Sequence, residues 1–129
     1  MQKKTSIKTY MSGVIPYLIR AYCNWIEDNK FTPYLLVNTK SLGVVIPEGF
    51  DANGKMVLNI GSSATAGRVI NNEAISFKAR FQGKSQKIIV PCEAVLSIYA
   101  KENGEGMMFD NKKTSAEKDS DKPGLTLLD

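Results

Sequence analysis

Histidine is absent from this sequence of 129 residues. Its absence removes the side chain most often used as a general base near neutral pH and the commonest ligand of transition metals. Cysteine occurs only twice, as Cys23 and Cys92, each among apolar neighbours. Two isolated thiols build neither a disulfide framework nor a four-ligand zinc site, so buried free thiols are expected instead. No clustered pair of carboxylates stands in for the missing acid and base. The sequence therefore gives an enzymatic role little to rest on, and it calls for no metal or other cofactor. Long apolar runs are missing as well. The stretch over residues 7–26 is interrupted by Lys8, Ser12, Pro16, Arg20 and Asn24, whereas a membrane-crossing helix needs about 20 apolar residues in succession. The opening residues are not followed by the continuous apolar segment and small-residue cleavage site of a secretory signal, and a cytoplasmic address is expected.

What is present is enough for one core. Apolar residues make up 43% of the chain, which suits a single domain of ordinary size without covalent staples. Charge is divided unevenly: residues 1–100 carry twelve Lys/Arg against six Asp/Glu, and residues 101–129 carry five against seven. A basic body attracts nucleic acid and acidic peptides alike, because Coulomb steering acts on either.

Three zones follow from patterning. Residues 1–14 read as a loose polar extension, with Met11 a second possible start. Residues 15–109 read as the folded domain. It opens with a helix in which Tyr17, Leu18, Ala21, Tyr22, Trp25 and Ile26 recur at helical spacing behind Pro16, a residue suited to the first helical turn. Ile19 and Cys23 fall beside that stripe, so the apolar arc is too broad for one face of a small sheet. Trp25 and Tyr22 accordingly belong either to the core or to an interface, and a second copy of the helix could cover the remainder. The helix is expected to stop near Asn29, ahead of Thr32-Pro33.

After the helix the period changes to two, and short β-branched and aromatic runs predict strands over residues 34–37, 44–46, 56–60, 74–81, 87–90 and 96–100. Turn chemistry separates them at Pro47-Glu48-Gly49, Asn53-Gly54, Asn71-Asn72 and Gln82-Gly83, and Pro91 opens a brief helical or irregular turn. The fold expected is mainly β with an N-terminal α-helix: a small, bent antiparallel sheet or partly open barrel. Residues 110–129 shift to Lys, Asp, Ser, Thr and Glu and read as a flexible tail. Leucine returns near its end in Pro123-Gly-Leu-Thr-Leu-Leu128, either a docking peptide or an end without a role.

Two internal features bear on function. Gly61-Ser-Ser-Ala-Thr-Ala-Gly67 has the small residues of a phosphate cradle, but no Gly-Lys-Ser/Thr follows and the segment leads toward a strand, which argues against a nucleotide loop. An ordinary loop, or a turn leaving room for a bound peptide, are the remaining readings. Arg80 falls on the polar side of the strand over 74–81, either solvated or paired with a carboxylate or main-chain carbonyls. A nucleic-acid surface would interleave aromatics with Lys/Arg on one face; here Phe77 and Phe81 alternate with Lys78 and Arg80 and so point the other way.

Several linked stretches resemble the stringent starvation protein B family. They are Pro16-Tyr-Leu-Ile-Arg-Ala-Tyr-Cys-Asn-Trp25 with Asp28-Asn29, Phe31-Thr-Pro-Tyr34, Gly43-Val-Val-Ile-Pro47, Val57-Leu-Asn-Ile60, Ser76-Phe-Lys-Ala-Arg-Phe-Gln-Gly83, Ile98-Tyr-Ala-Lys-Glu-Asn-Gly104 and Gly106-Met-Met-Phe109. The resemblance implies an Sm-like, partly open barrel that forms a homodimer through the helix, at Tyr17, Leu18, Ala21, Tyr22 and Trp25. It implies a non-enzymatic adaptor whose groove binds the ssrA-type degradation tag of proteins from stalled ribosomes. By position that groove involves Leu58, Ile60, Ser63, Ala64, Thr65, Ala79, Arg80 and Phe81. It further implies a tail, here Lys122, Pro123, Leu125, Leu127 and Leu128, that docks on the zinc-binding N-terminal domain of the unfoldase ClpX within the ClpXP protease. The family's tail is usually basic, whereas this one ends in Asp129. As a flexible coil, the 13 residues from Asp110 to Lys122 would have a root-mean-square span of roughly 20 Å. The rival reading, which the Sm-like architecture and the basic body both allow, is a small RNA-binding module.

Overall fold

The computed structural model describes residues 11–109. Residues 1–10 of the loose extension expected over 1–14, and the tail expected over 110–129, lie outside the described residues. The order of elements is helix α1 (Ile15–Asp28), strands β1 (Pro33–Asn38), β2 (Lys55–Asn59), β3 (Ala66–Ile70), β4 (Ala74–Phe81) and β5 (Lys84–Pro91), a 3-10 turn (Cys92–Ala94), then β6 (Val95–Ala100) and β7 (Gly106–Met108).

Helix α1 starts with Pro16 in its first turn and has no side-chain cap. It ends before the sequence reaches Pro33. Lys30 adopts a left-handed conformation, φ 67°, and the Phe31 amide donates to the Ile26 carbonyl at 3.0 Å, a six-to-one closure that satisfies a carbonyl left over by the helix end. The face turned to the sheets carries Pro16, Ile19, Cys23 and Ile26. The stripe most evident in the sequence lies largely outside this: Tyr17, Ala21 and Trp25 are exposed, and Leu18 and Tyr22 are half-buried. Both stripes are apolar, so periodicity specifies a helix without specifying which side meets the sheet.

Two antiparallel sheets share one core. One has the order β2-β1-β6-β7 and the other β3-β4-β5. In the first, β1 alternates buried and half-buried residues and brings Leu35 opposite Leu58 on β2 and Ile98 on β6. In the second, Ile75 and Phe77 of β4 face Val90 and Ile88 of β5. All seven of these side chains are buried, and burying each contributes about 1.5–3 kcal/mol relative to exposure. The Gln82-Gly83 turn has positive φ at both residues, 54° and 81°, the geometry of a two-residue turn whose twist matches that of a hairpin. The sheets are strongly bent, and among the described residues they do not close into a barrel; the arrangement is of the open, Sm-like type.

Three elements differ from the expectation. Residues 44–46 form only a single bridge, Val45 to Ile89, because Gly43 at φ 89° and Pro47 bracket the run and end pairing on either side. Conversely, β3 and β7 are present where no strand was predicted. The Ala66-Gly67-Arg68 opening of β3 lacks alternation, and it carries an irregularity: Ala66 pairs with Lys78 and Val69 with Ser76, so one extra residue stands on β3. Gly67, at φ 64°, supplies the left-handed turn that such a bulge uses.

Candidate functional site

The bend leaves a cleft of about 370 Å³ between the sheets, lined by Tyr34, Val57, Leu58, Asn59, Ala64, Phe77, Ala79, Arg80 and Phe81. Among the described residues strand β2 is the last strand of its sheet, so beyond Lys55, which bridges to Ala52, its outer edge has no neighbouring strand there. Alternation on β2 turns Met56 and Leu58 inward and leaves Val57 and Asn59 exposed. Strand β4 supplies the facing wall with Phe77, Ala79 and Phe81, which share one side of the strand. Phe81 is also backed by the ring of Phe50, 5.1 Å away and steeply inclined, an edge-to-face contact that holds the mouth of the cleft. The result is an apolar trough with polar groups at its margin.

Of the groove residues expected from the sequence, Leu58, Ala64, Ala79, Arg80 and Phe81 line this cleft together. Ile60 does not line it; it is fully buried in the core. Ser63 is exposed and Thr65 half-buried, on the turn whose Ala64 reaches the cleft. Arg80 donates from Nη1 to the Gly83 carbonyl at 2.9 Å, which anchors its planar fork beside the hairpin turn. Tyr34, Val57, Asn59 and Phe77 complete the lining and were not named in advance. The only signal for Phe77 was its shared face with Ala79; Tyr34 and Asn59 arrive through strand register, which one sequence does not display.

The turn over residues 61–65 is held by polar bonds. Ala64 amide and Thr65 hydroxyl both donate to the Gly61 carbonyl at 3.0 Å, and the Gly61 amide donates to Asn59 Oδ1 at 2.9 Å. Glu27, in the last turn of α1, accepts from the Ser62 amide at 2.7 Å. It also takes both prongs of Arg68: Nη1 to Oε2 at 3.0 Å and Nη2 to Oε1 at 3.1 Å. Arg68 Nη1 further donates to the Ile60 carbonyl at 2.7 Å. Partial burial pushes the Glu27 carboxyl upward, but the bonds from Arg68 and the Ser62 amide outweigh it and hold the group below its ordinary range. Neighbouring Cys23 is pushed up to about 11, chiefly by burial, and Cys92 is raised for the same reason. Both thiols are free and buried, the condition of structural, unreactive cysteine. Among the described residues no group of His, Cys, Asp or Glu could hold a metal ion, and no helix is long and apolar enough to cross a membrane.

A second surface lies on the outer side of α1. Trp25 is 46% and Tyr17 50% exposed, with Ala21, Tyr22 and Trp25 bordering a shallow depression and Leu18 half-buried beside them. Tyr22 and Trp25 meet edge to face at 5.7 Å. The expected docking residues Lys122, Pro123, Leu125, Leu127 and Leu128 lie outside the described residues.

Comparison with known proteins agrees with this architecture. The stringent starvation protein B family matches residues 13–126, which takes in the helix, both sheets and the cleft. The chain is similar to the stringent starvation protein B homolog of Haemophilus influenzae, at 48% identity over 95 residues covering 74% of this chain and 63% of the relative. The chain thus spans less than two thirds of the length of the curated relative it matches. A match extending over the helix, both sheets and the cleft, together with close identity through three quarters of the chain, places this protein in the stringent starvation protein B family.

Proposed function

We propose that the chain is a non-enzymatic adaptor that captures the ssrA-type degradation tag of proteins from stalled ribosomes and delivers them to ClpXP. The observation that carries this reading is the cleft between β2 and β4. An extended peptide needs apolar pockets for alternate side chains and a sheet edge or polar margin for its backbone. The trough of Leu58, Ala79 and Phe81 beside the free edge of β2 offers both, and Arg80 stands at its rim for carboxylate or carbonyl groups of the tag. Family membership supports the same role. The absence of histidine from the whole sequence fits a protein that binds without covalent chemistry.

Delivery then works by tethering. The cleft holds the tag while residues 122–128 engage the zinc-binding N-terminal domain of ClpX, turning a bimolecular capture into a local one. Two copies joined through Tyr17, Leu18, Ala21, Tyr22 and Trp25 present two tails at once. The exposed aromatic stripe on α1 supports that dimer, since a face of this kind is usually covered in the working protein. The setting is the cytoplasm, where ribosomes and ClpXP meet.

Titration of a labelled tag peptide with the full chain, followed by fluorescence anisotropy, tests the first step. Saturable binding that a scrambled peptide does not reproduce is expected; absent binding, or tighter binding of a short RNA, overturns the reading in favour of an RNA module. Truncation after Asp121 tests the second step. It is expected to leave tag binding intact and to abolish stimulated degradation by ClpXP, and unchanged stimulation removes the tail from the mechanism.

A further inference from the structure

The wall of the cleft that contains Ala64 is not part of either sheet. It stands on the turn over residues 61–65, whose base is tied to the first sheet by the Ile60 amide donating to the Pro33 carbonyl at 3.0 Å and the Gly61 amide donating to Asn59 Oδ1 at 2.9 Å. Two further bonds bracket Gly61 and tie the turn to β3 and to helix α1: the Ile60 carbonyl accepts from Arg68 at 2.7 Å, and the Ser62 amide donates to Glu27 at 2.7 Å. Arg68 and Glu27 are in turn joined through both prongs of the guanidinium. Planar bidentate pairing restricts direction as well as distance. The position of Ala64 relative to Asn59 and Leu58 is therefore set in part from helix α1, through a carboxylate that does not touch the cleft.

The bulge in β3 makes this arrangement possible. With one extra residue between Ala66 and Val69, and Gly67 in the left-handed region, Arg68 leaves the regular alternation and reaches both the Ile60 carbonyl and α1. Both ends of the ion pair are about one-fifth exposed, shielded more than surface pairs of small effect. The ionisable groups facing Glu27 are Arg68 from β3 and Cys23 one turn earlier on its own helix. Cys23 stays protonated at neutral pH, so Arg68 is the charge that matters.

We propose that Glu27 and Arg68 are positioning residues for peptide capture: together they hold the Ala64 wall in the shape that fits a bound peptide, so that the affinity of the cleft is controlled from the helix. The proposal rests on the reading of the cleft as the tag-binding site. Loss of the pair leaves both sheets in place and loosens the turn beyond Gly61, so that part of its ordering falls on peptide binding. That cost appears as weaker affinity, not as lost capacity.

The test is anisotropy titration of labelled tag peptide against the full wild-type chain, Glu27→Gln and Arg68→Lys. Circular dichroism and thermal melting establish that each variant is folded. Roughly fivefold to tenfold weaker binding is expected for both, the scale of preorganisation lost when one well-placed charged bond goes. A pH series separates positioning from general weakening. As pH falls through the range where Glu27 protonates, wild-type affinity should approach that of Glu27→Gln, with titration of the peptide itself common to both proteins. Should Glu27→Gln not fold, Arg68→Lys, which keeps the charge and loses the fork, decides the matter alone. Folded variants that bind within twofold of wild type, with parallel pH profiles, overturn the positioning role while leaving the cleft intact as the binding site. A wild-type chain that binds no tag peptide overturns both.

Discussion

Two of the walls of the cleft are made by different physics. The wall on β1 and β2 grows directly out of the core. Leu58 is buried and is paired across the ladder with Leu35, so its position is set by close packing that a protein interior does not easily deform. The wall around Ala64 belongs to a turn outside the ladders, and charged hydrogen bonds accepted by Glu27 and donated by Arg68 help to hold it. Packing gives a wall that persists as long as the fold does. Directional polar bonds give one that can be loosened while the fold remains. A site built from both keeps a rigid register on one side and an adjustable fit on the other.

Substitutions can break this contrast, and the largest effect belongs to the packed side. Phe77 is fully buried and reaches the floor of the cleft. Phe77→Ala is expected to cost about 3–5 kcal/mol of folding stability, visible as a lower urea midpoint, with stability and peptide binding failing together. On the polar side the two should separate. Glu27→Gln removes an acceptor charged in the native state, at a cost of roughly 1–3 kcal/mol in the same urea experiment at pH 7. The pH dependence has a definite sign. Because the folded carboxyl is held low, its stabilising contribution is complete above the unfolded value of about 4.3 and disappears as pH falls through the lower folded value. Wild type and Glu27→Gln should therefore converge in stability toward acid.

Smaller effects sharpen the same comparison. An added methyl at Gly67 meets no atom within 4 Å, so Gly67→Ala carries only the penalty of a left-handed backbone, φ 64°, about 1–2 kcal/mol. Thermal melting should register that loss, and peptide affinity should fall with it as the bulge that aims Arg68 relaxes. The smallest effect on the fold is expected on the outer side of α1. Trp25→Ala should change the stability of the isolated monomer by about 0.5 kcal/mol or less, while sedimentation should show the proposed dimer shifted toward monomer.

The sequence disclosed these regions unequally. Strand β4 was legible to the residue, because Ile75, Phe77, Ala79 and Phe81 alternate with polar residues over its whole length. Helix α1 was legible as a helix, but its inward face combines Ile26 of the evident stripe with Ile19 and Cys23 beside it, whereas Tyr17 and Trp25 of that stripe stay outside. Strand β3 was hidden by its small residues and its bulge, and β7, three residues long and at a sheet edge, is too short to show a period. The cleft was reached through family resemblance, which pointed to Leu58, Ala64, Ala79, Arg80 and Phe81. Tyr34 and Asn59 join it only through strand pairing. The Glu27 and Arg68 pair had no signal at all. Opposite charges 41 residues apart obey no spacing rule, and only the closed fold brings a helix end against a bulged strand.

The central claim is that a peptide sits between β2 and β4, and two-dimensional amide NMR of the full chain during titration with tag peptide tests it most directly. Progressive, saturable shifts concentrated at Asn59, Ala64, Ala79, Arg80 and Phe81, with Trp25 and its neighbours on α1 unmoved, are the predicted result. Shifts centred on α1, or a spectrum unchanged by peptide, would contradict it.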